Sequence, residues 1–204
     1  MTGRSRWDTE AARLDATGYA AHFERLAAAG QDMHGEAAFC ARLTGPPARV
    51  LDAGCGTGRV AARLYELGYD CVGVDQDPDM LAIARRVTGP TWRLGDLAAL
   101  TAIPGLGGSF EIVLAAGNVI PLVEPGTEAT VIAQLAARTS PGGFLVAGFG
   151  LDAAHLPLAQ PPFGLPDYDS WCSAAGLSRR ARYATWDGAP YDGGGYAVSV
   201  HVRA

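Results

Sequence analysis

Ten residues constrain the fold more than any others: Val50-Leu51-Asp52-Ala53-Gly54-Cys55-Gly56-Thr57-Gly58-Arg59. An apolar run breaks into three glycines at alternate positions, and a helical pattern follows. Glycine alone combines a sharp backbone turn with a surface that a ligand can approach without meeting a Cβ. The N–H groups of such a turn, together with the start of the next helix, face that ligand. Asp52 lies inside the apolar run, an unfavourable place for a carboxylate unless it is paired or meets a ligand. The local unit is therefore strand, glycine turn, helix, with chemistry at the turn.

The spacing narrows the ligand. A dinucleotide loop reads G-x-G-x-x-G, with a third glycine for close helix–strand packing. Gly54 and Gly56 fit, but the third position is Arg59, and Gly58 comes one residue early. The string instead resembles the first motif of class I S-adenosylmethionine-dependent methyltransferases. The likeness continues in order through Val72-Gly73-Val74-Asp75 and Gln76-Asp77-Pro78-Asp79-Met80-Leu81. It goes on through Trp92-Arg93-Leu94-Gly95-Asp96-Leu97, Phe110-Glu111-Ile112-Val113-Leu114 with Ala115-Ala116-Gly117-Asn118, and Pro141-Gly142-Gly143-Phe144-Leu145-Val146. Each piece is weak; the ordered set over residues 49–150 is specific.

The resemblance implies roles at these positions. Gly54, Cys55 and Gly56 would form the cofactor loop. Asp52 would orient the ammonium of the cofactor's methionine part, and a carboxylate suits that cation. Asp75 ends the second strand, where open α/β sheets bind ligands, and its two oxygens can accept from both ribose hydroxyls. Such an acid serves NAD equally well. Gly95, Asp96 and Leu97 would hold adenine, with Asp96 accepting from its amino group and Leu97 offering its backbone N–H. Asp96 also suits the cap of a short helix. Gln76 and Met80 would flank the ring, although Met80 suits a core equally well. Ala116, Gly117 and Asn118 end the fourth strand, where methyl transfer would occur. The D/N-P-P-Y/F motif of amino-methylating nucleic-acid enzymes is replaced there by Gly117-Asn118-Val119-Ile120-Pro121.

Alternating strand-like and helix-like segments argue for an α/β fold. Strands are expected over 49–54, 70–75, 91–95, 110–116 and 143–149, with helices near 58–68, 78–88, 127–139 and, briefly, 96–103. Further on, 168–175 is helical and 178–186 a strand. Tyr196, Val198, Val200 and Val202 then alternate with Ala197, Ser199, His201 and Arg203, which is strand periodicity. Two strands without an intervening helix make an antiparallel hairpin. The expectation is a Rossmann-like, doubly wound, mostly parallel seven-stranded sheet with a C-terminal antiparallel hairpin. A nicotinamide-type sheet would end parallel.

At 204 residues the chain suits one domain. Residues 1–48 form a helical cap or lid, 49–150 the cofactor-binding core, and 151–204 an acceptor-side loop and terminal hairpin. Tyr19, Phe23, Leu26 and Met33 give the cap an apolar face, and Gly30 and Gly35 flank a break where it could bend. No apolar stretch approaches the ~20 residues of a membrane helix, and no signal-peptide core precedes Glu10. The chain reads as cytoplasmic, with Cys40, Cys55, Cys71 and Cys172 as free thiols. None of these forms a C-x-x-C pair and the four histidines are scattered, so no metal site is expected. Net charge is −5, every basic residue is arginine, and the densest basic cluster is Arg179-Arg180-Ala181-Arg182, which argues against nucleic acid.

The function expected is methyl transfer from S-adenosylmethionine to a small-molecule acceptor, leaving S-adenosylhomocysteine. The rivals are a non-catalytic binder of the same cofactor and, less favoured, a nicotinamide-dependent oxidoreductase. No catalytic residue declares itself; the candidates are His155 and His34. Glu36, Tyr191 and Asp192 are acceptor-side candidates, and Leu156, Leu158 and Phe163 could make an apolar wall. The acceptor and the oligomeric state stay open.

Overall fold

A computed structural model of the chain describes residues 4–10, 15–30 and 32–204; residues 1–3, 11–14 and 31, part of the expected N-terminal cap, lie outside the described residues. Three helices come first: α1 (Arg6–Thr9), α2 (Ala16–Ala28) and α3 (Gly35–Leu43). Strand β1 (Arg49–Ala53) then leads to α4 (Arg59–Glu66), β2 (Asp70–Asp75) to α5 (Pro78–Ala84), and β3 (Thr91–Leu94) to a 3-10 segment, Leu97–Ala102. After β4 (Phe110–Ala115) come α6 (Val119–Leu122), α7 (Glu128–Arg138), β5 (Thr139–Gly150), α8 (Leu165–Ala174), β6 (Leu177–Tyr183) and β7 (Tyr196–Arg203).

The seven strands lie in the order β3-β2-β1-β4-β5-β7-β6. The first five run parallel, and β7 is antiparallel to both of its neighbours. The order reverses at β1, so β1 and β4 open a crevice beyond their carboxyl ends, the usual ligand position in such sheets. Alternate residues of β1 feed opposite cores. Leu51 and Ala53 join the layer containing Ile132 and Tyr168. Val50 joins the layer containing Phe39 and Leu64.

Expectations shift at the edges of several elements: α8 starts at Leu165 rather than 168, and β6 ends at Tyr183 rather than 186. Helix α5 stops at Ala84 rather than 88, because Arg86 N–H and Val87 N–H bond three residues back, to Ile83 and Ala84 carbonyls, and tighten the turn. Strand β5 starts at Thr139, not 143, and absorbs Pro141-Gly142-Gly143 as an irregularity opposite Phe110 and Ile112. Strand β7 also differs from a half-buried strand. Its Val198 and Val200 are buried on one face, and Ser199 and His201 are buried on the other. A strand wedged between β5 and β6 has both faces covered, so polar type and exposure part company.

Candidate active site

The glycine loop is left-handed at each of its three glycines, with φ of 75° at Gly54, 53° at Gly56 and 82° at Gly58. Gly54 has no room for a side chain: an added Cβ would sit 2.5 Å from Val119 Cγ2. The loop is pinned from the next strand. The N–H groups of Gly54 and Cys55 bond to the Val74 carbonyl at 2.8 and 3.0 Å. Gly56 N–H donates to Asp75 Oδ2 at 2.7 Å.

Beyond the carboxyl ends of β1 to β4 lies a cavity of about 760 Å³. Of the expected cofactor residues, Asp52, Gly54, Cys55, Gly56, Asp75 and Gln76 line it, as do Met80, Gly95, Asp96, Leu97, Ala116 and Gly117. Asn118 is not among its lining residues. Its Nδ2 donates to the His155 carbonyl at 3.0 Å and its Oδ1 accepts from Gly150 N–H at 2.7 Å, so it ties α6 to the end of β5.

Each acid has a defined setting. Asp52 is 3% exposed, and its Oδ2 accepts from Ala61 N–H at 3.1 Å. Burial pushes its carboxyl up to about 7, against the opposing pull of that hydrogen bond and the Arg59 charge. Asp75 accepts from Gly56 N–H with one oxygen and from Asp77 N–H, at 2.9 Å, with the other. Burial raises its pKa as well. Asp96 caps the 3-10 segment through Ala98 N–H at 2.8 Å, so the cap role and the cavity position coincide. Met80 is buried yet lines the cavity, whereas Leu94 beside it is 53% exposed. An exposed leucine inside a concave rim is a surface awaiting an apolar occupant.

The N-terminal residues reach across the opening. Trp7, Asp8 and Tyr19 all line the cavity. Arg6 holds α1 down through Glu128 at 2.8 Å and through the Val123 carbonyl, which accepts its N–H at 3.3 Å. Gln76 Nε2 donates to Ser5 Oγ at 2.7 Å, and Trp7 Nε1 to Asp77 Oδ2 at 3.4 Å. Arg59, the residue that breaks the dinucleotide spacing, forks onto Glu36 at 2.6 and 3.0 Å, also donates to the Met33 carbonyl, and stacks on Phe23 with 4.8 Å to the ring centroid. Trp7, Tyr19 and Glu124 are cavity residues outside the motif strings, and Leu94 and Arg59 lie within the strings but carried no expected cofactor role. Only the apolar face bearing Tyr19 was legible beforehand as covering something.

The acceptor-side candidates are dispersed. His34 is exposed at the start of α3, and His155 is exposed and bonded to Asp152 Oδ1 at 2.7 Å; neither lines the cavity. Tyr191 and Asp192 are bonded within their own turn, to Gly194 O and Gly194 N–H. Leu156 and Leu158 pack behind the wall, on Leu122 and Trp7. Phe163 stacks on Phe149 and Trp171 instead. Leu156 and Leu158 therefore brace the cavity wall rather than form it, and Phe163 takes no part in it.

A profile of a methyltransferase domain matches residues 50–143. The solved structure of a TehB-like SAM-dependent methyltransferase from Corynebacterium glutamicum aligns with a TM-score of 0.81 and 28% identity, over 93% of this chain and 98% of that one. Residues 50–143 thus carry a methyltransferase domain. The chain is also similar to a ubiquinone biosynthesis O-methyltransferase of Methylococcus capsulatus, with 28% identity over 72% of this chain and 67% of that protein. It is 30% identical to hemagglutinin 1 of Eikenella corrodens over 56% of this chain, and the match takes in only 38% of that relative's length.

The residues present fit the cofactor. The glycine cradle has no room for a Cβ at Gly54, a buried carboxyl lies where a cation can reach it, and an exposed leucine lies beside the adenine-side residues. The protein should then bind S-adenosylhomocysteine with a pH dependence set by Asp52. A folded carboxyl with a raised pKa stabilises the empty protein most at low pH, and that contribution is lost as pH rises through about 7. Pairing with an ammonium needs the ionised form. Affinity for S-adenosylhomocysteine should therefore fall below pH about 7, by up to roughly tenfold per pH unit, with a proton released on binding. Calorimetry in buffers of different ionisation enthalpy measures both. An affinity and enthalpy insensitive to pH and buffer would remove Asp52 from this role.

Proposed function

We propose that the protein transfers the methyl group of S-adenosylmethionine to a small molecule held in the same cavity, leaving S-adenosylhomocysteine. The carrying observation is that one continuous cavity runs from the adenine-side residues Asp96 and Leu97, past Gly54 and Gly117, to Trp7 and Glu124. Asp52, Asp75, Gln76, Met80 and Asp96 would hold the cofactor, which supplies an electrophilic methyl group when bound. The chain's own contribution is placement. The glycine loop and Gly117 leave the backbone open to close approach, and Trp7 and Tyr19 cover the space and exclude water.

A small acceptor fits this enclosure, and the similarity to a ubiquinone-biosynthesis enzyme supports it. The net charge of −5 and the acids lining the cavity argue against a nucleic acid. No helix among the described residues is long and apolar enough to cross a membrane. Four buried, free cysteines support a reducing compartment, and we place the protein in the cytoplasm.

Calorimetric titration tests the reading. S-adenosylmethionine and S-adenosylhomocysteine should bind, and NAD should not. Hydrogen exchange in the same samples should slow over Tyr19 to Glu36 if that segment closes as a lid. Binding of NAD without a response to S-adenosylhomocysteine would overturn the assignment. Binding without turnover across an acceptor screen would favour the non-catalytic alternative.

A further inference from the structure

A cation and a buried carboxyl line the glycine-loop end of the cavity without bonding to each other. Asp52 accepts from Ala61 N–H at 3.1 Å, and Arg59 begins that same first turn of α4. The Arg59 guanidinium is nevertheless turned toward the N-terminal helices. Its Nη2 donates to Glu36 Oε1 at 2.6 Å and its Nη1 to Glu36 Oε2 at 3.0 Å. Nη1 also donates to the Met33 carbonyl, and the group lies over the Phe23 ring. The pair is sheltered, with side chains 23% exposed at Arg59 and 15% at Glu36, so salt screens it little. Around Asp52 stand Tyr19 on α2, Glu36 and Cys40 on α3, Cys55 in the loop, Arg59 on α4, and Cys71 and Asp75 on β2. From β4 its partner in the sheet is Leu114, which carries no charge. Burial pushes the Tyr19 hydroxyl and the three thiols up, so all four stay neutral near pH 7. Asp75 is committed to the N–H groups of Gly56 and Asp77. Of the other two charges, Arg59 favours the ionised form of Asp52 and Glu36 opposes it.

We propose that Arg59 and Glu36 are a positioning pair for the methionine end of the cofactor: Glu36 holds the guanidinium off Asp52, and the buried carboxyl is thereby kept for the cofactor's ammonium. This rests on the methyltransferase reading of the cavity and adds how its cation site is kept open. A direct Arg59–Asp52 ion pair would satisfy the carboxylate within the protein and leave the ammonium little to neutralise. Without Arg59, Asp52 would face Glu36 and Asp75 alone, and like charges favour its protonated form. The pair holds Asp52 between these two extremes. Neither member touches the reacting atoms; both act through Asp52.

Titration with S-adenosylhomocysteine across neutral pH tests this, with circular dichroism to check each variant's fold. The readout is the pH midpoint of the affinity profile, which lies near 7 in the parent. Glu36→Gln keeps an acceptor oxygen for the guanidinium but leaves its charge unanswered, and should move the midpoint down by about one pH unit. Arg59→Met should move it up by about as much. The double variant Arg59→Met, Glu36→Gln removes both charges and should bring the midpoint back to within roughly half a unit of the parent's. It buries no unpaired charge, so it decides the matter with Glu36→Gln even if Arg59→Met alone does not fold. A merely structural pair would weaken binding at every pH and leave the midpoint where it was. Shifts in the same direction, no shift, a parent profile without a midpoint, or a double variant displaced as far as a single one would overturn the proposal. Failure of the parent to bind S-adenosylhomocysteine at any pH would instead overturn the methyltransferase reading, so the two failures are distinguishable.

Discussion

Gly54→Ala is expected to destabilise the fold by about 2–4 kcal/mol, the sum of left-handed strain and overpacking. It should also weaken S-adenosylhomocysteine binding by more than about tenfold, because the loop must move to make room. At φ of 75° any L side chain is strained, and the new Cβ would lie 2.5 and 2.8 Å from the two Val119 methyl carbons. Val119 begins α6 and lines the cavity, so relief pushes either the loop or α6 out of place. Gly126→Ala separates the two causes. It has φ of 84° but nothing within 4 Å of its Cβ, and should cost only the strain, about 1–2 kcal/mol. Urea denaturation and calorimetry measure both variants. Equal destabilisation by the two would show that the Val119 contact is soft.

Asp75→Ala is expected to weaken S-adenosylhomocysteine binding by about 1–3 kcal/mol, roughly five- to 150-fold, the range for losing a charged hydrogen-bond partner. Each carboxylate oxygen already accepts one backbone N–H, from Gly56 and from Asp77, and has a second lone pair for a ribose hydroxyl. Because the Gly56 bond braces the loop, some stability should be lost too. Asp75→Asn keeps one acceptor oxygen and should recover part of the affinity. Unchanged binding in the alanine variant would show that the ribose is held elsewhere.

The parts of the site that could be read beforehand share one property: they are local. A strand end, a glycine turn and an acid at the next strand end declare themselves because each uses neighbours within a few residues. The architecture followed from the same local signals, down to the terminal hairpin. What escaped depends on contacts between distant segments. Arg59 registered only as a departure from a dinucleotide spacing, since its partner Glu36 lies 23 residues earlier. Trp7 gave no signal of its own, because its place is set by Asp77, 70 residues away. Asn118 read as a site residue, yet its amide is spent on Gly150 and His155. Leu156 and Leu158 were read as an apolar wall, yet they pack on Leu122 and Trp7 outside the cavity lining, because polarity does not say which side of a wall a leucine occupies.

The placement of β7 between β5 and β6 bears on how this sheet is assembled during synthesis. The first five strands can pair in the order in which they emerge. Strand β6 emerges before β7, the strand it pairs with, and β5 waits with one edge open until Tyr196–Arg203 arrives. Closure is completed at β7, where Arg203 Nη1 donates to the carbonyls of Ala136, Ala137 and Thr139. An open, twice-covered edge is a template for pairing with other chains. A nascent chain stalled before β7 should therefore be the species most prone to aggregate and most dependent on a chaperone.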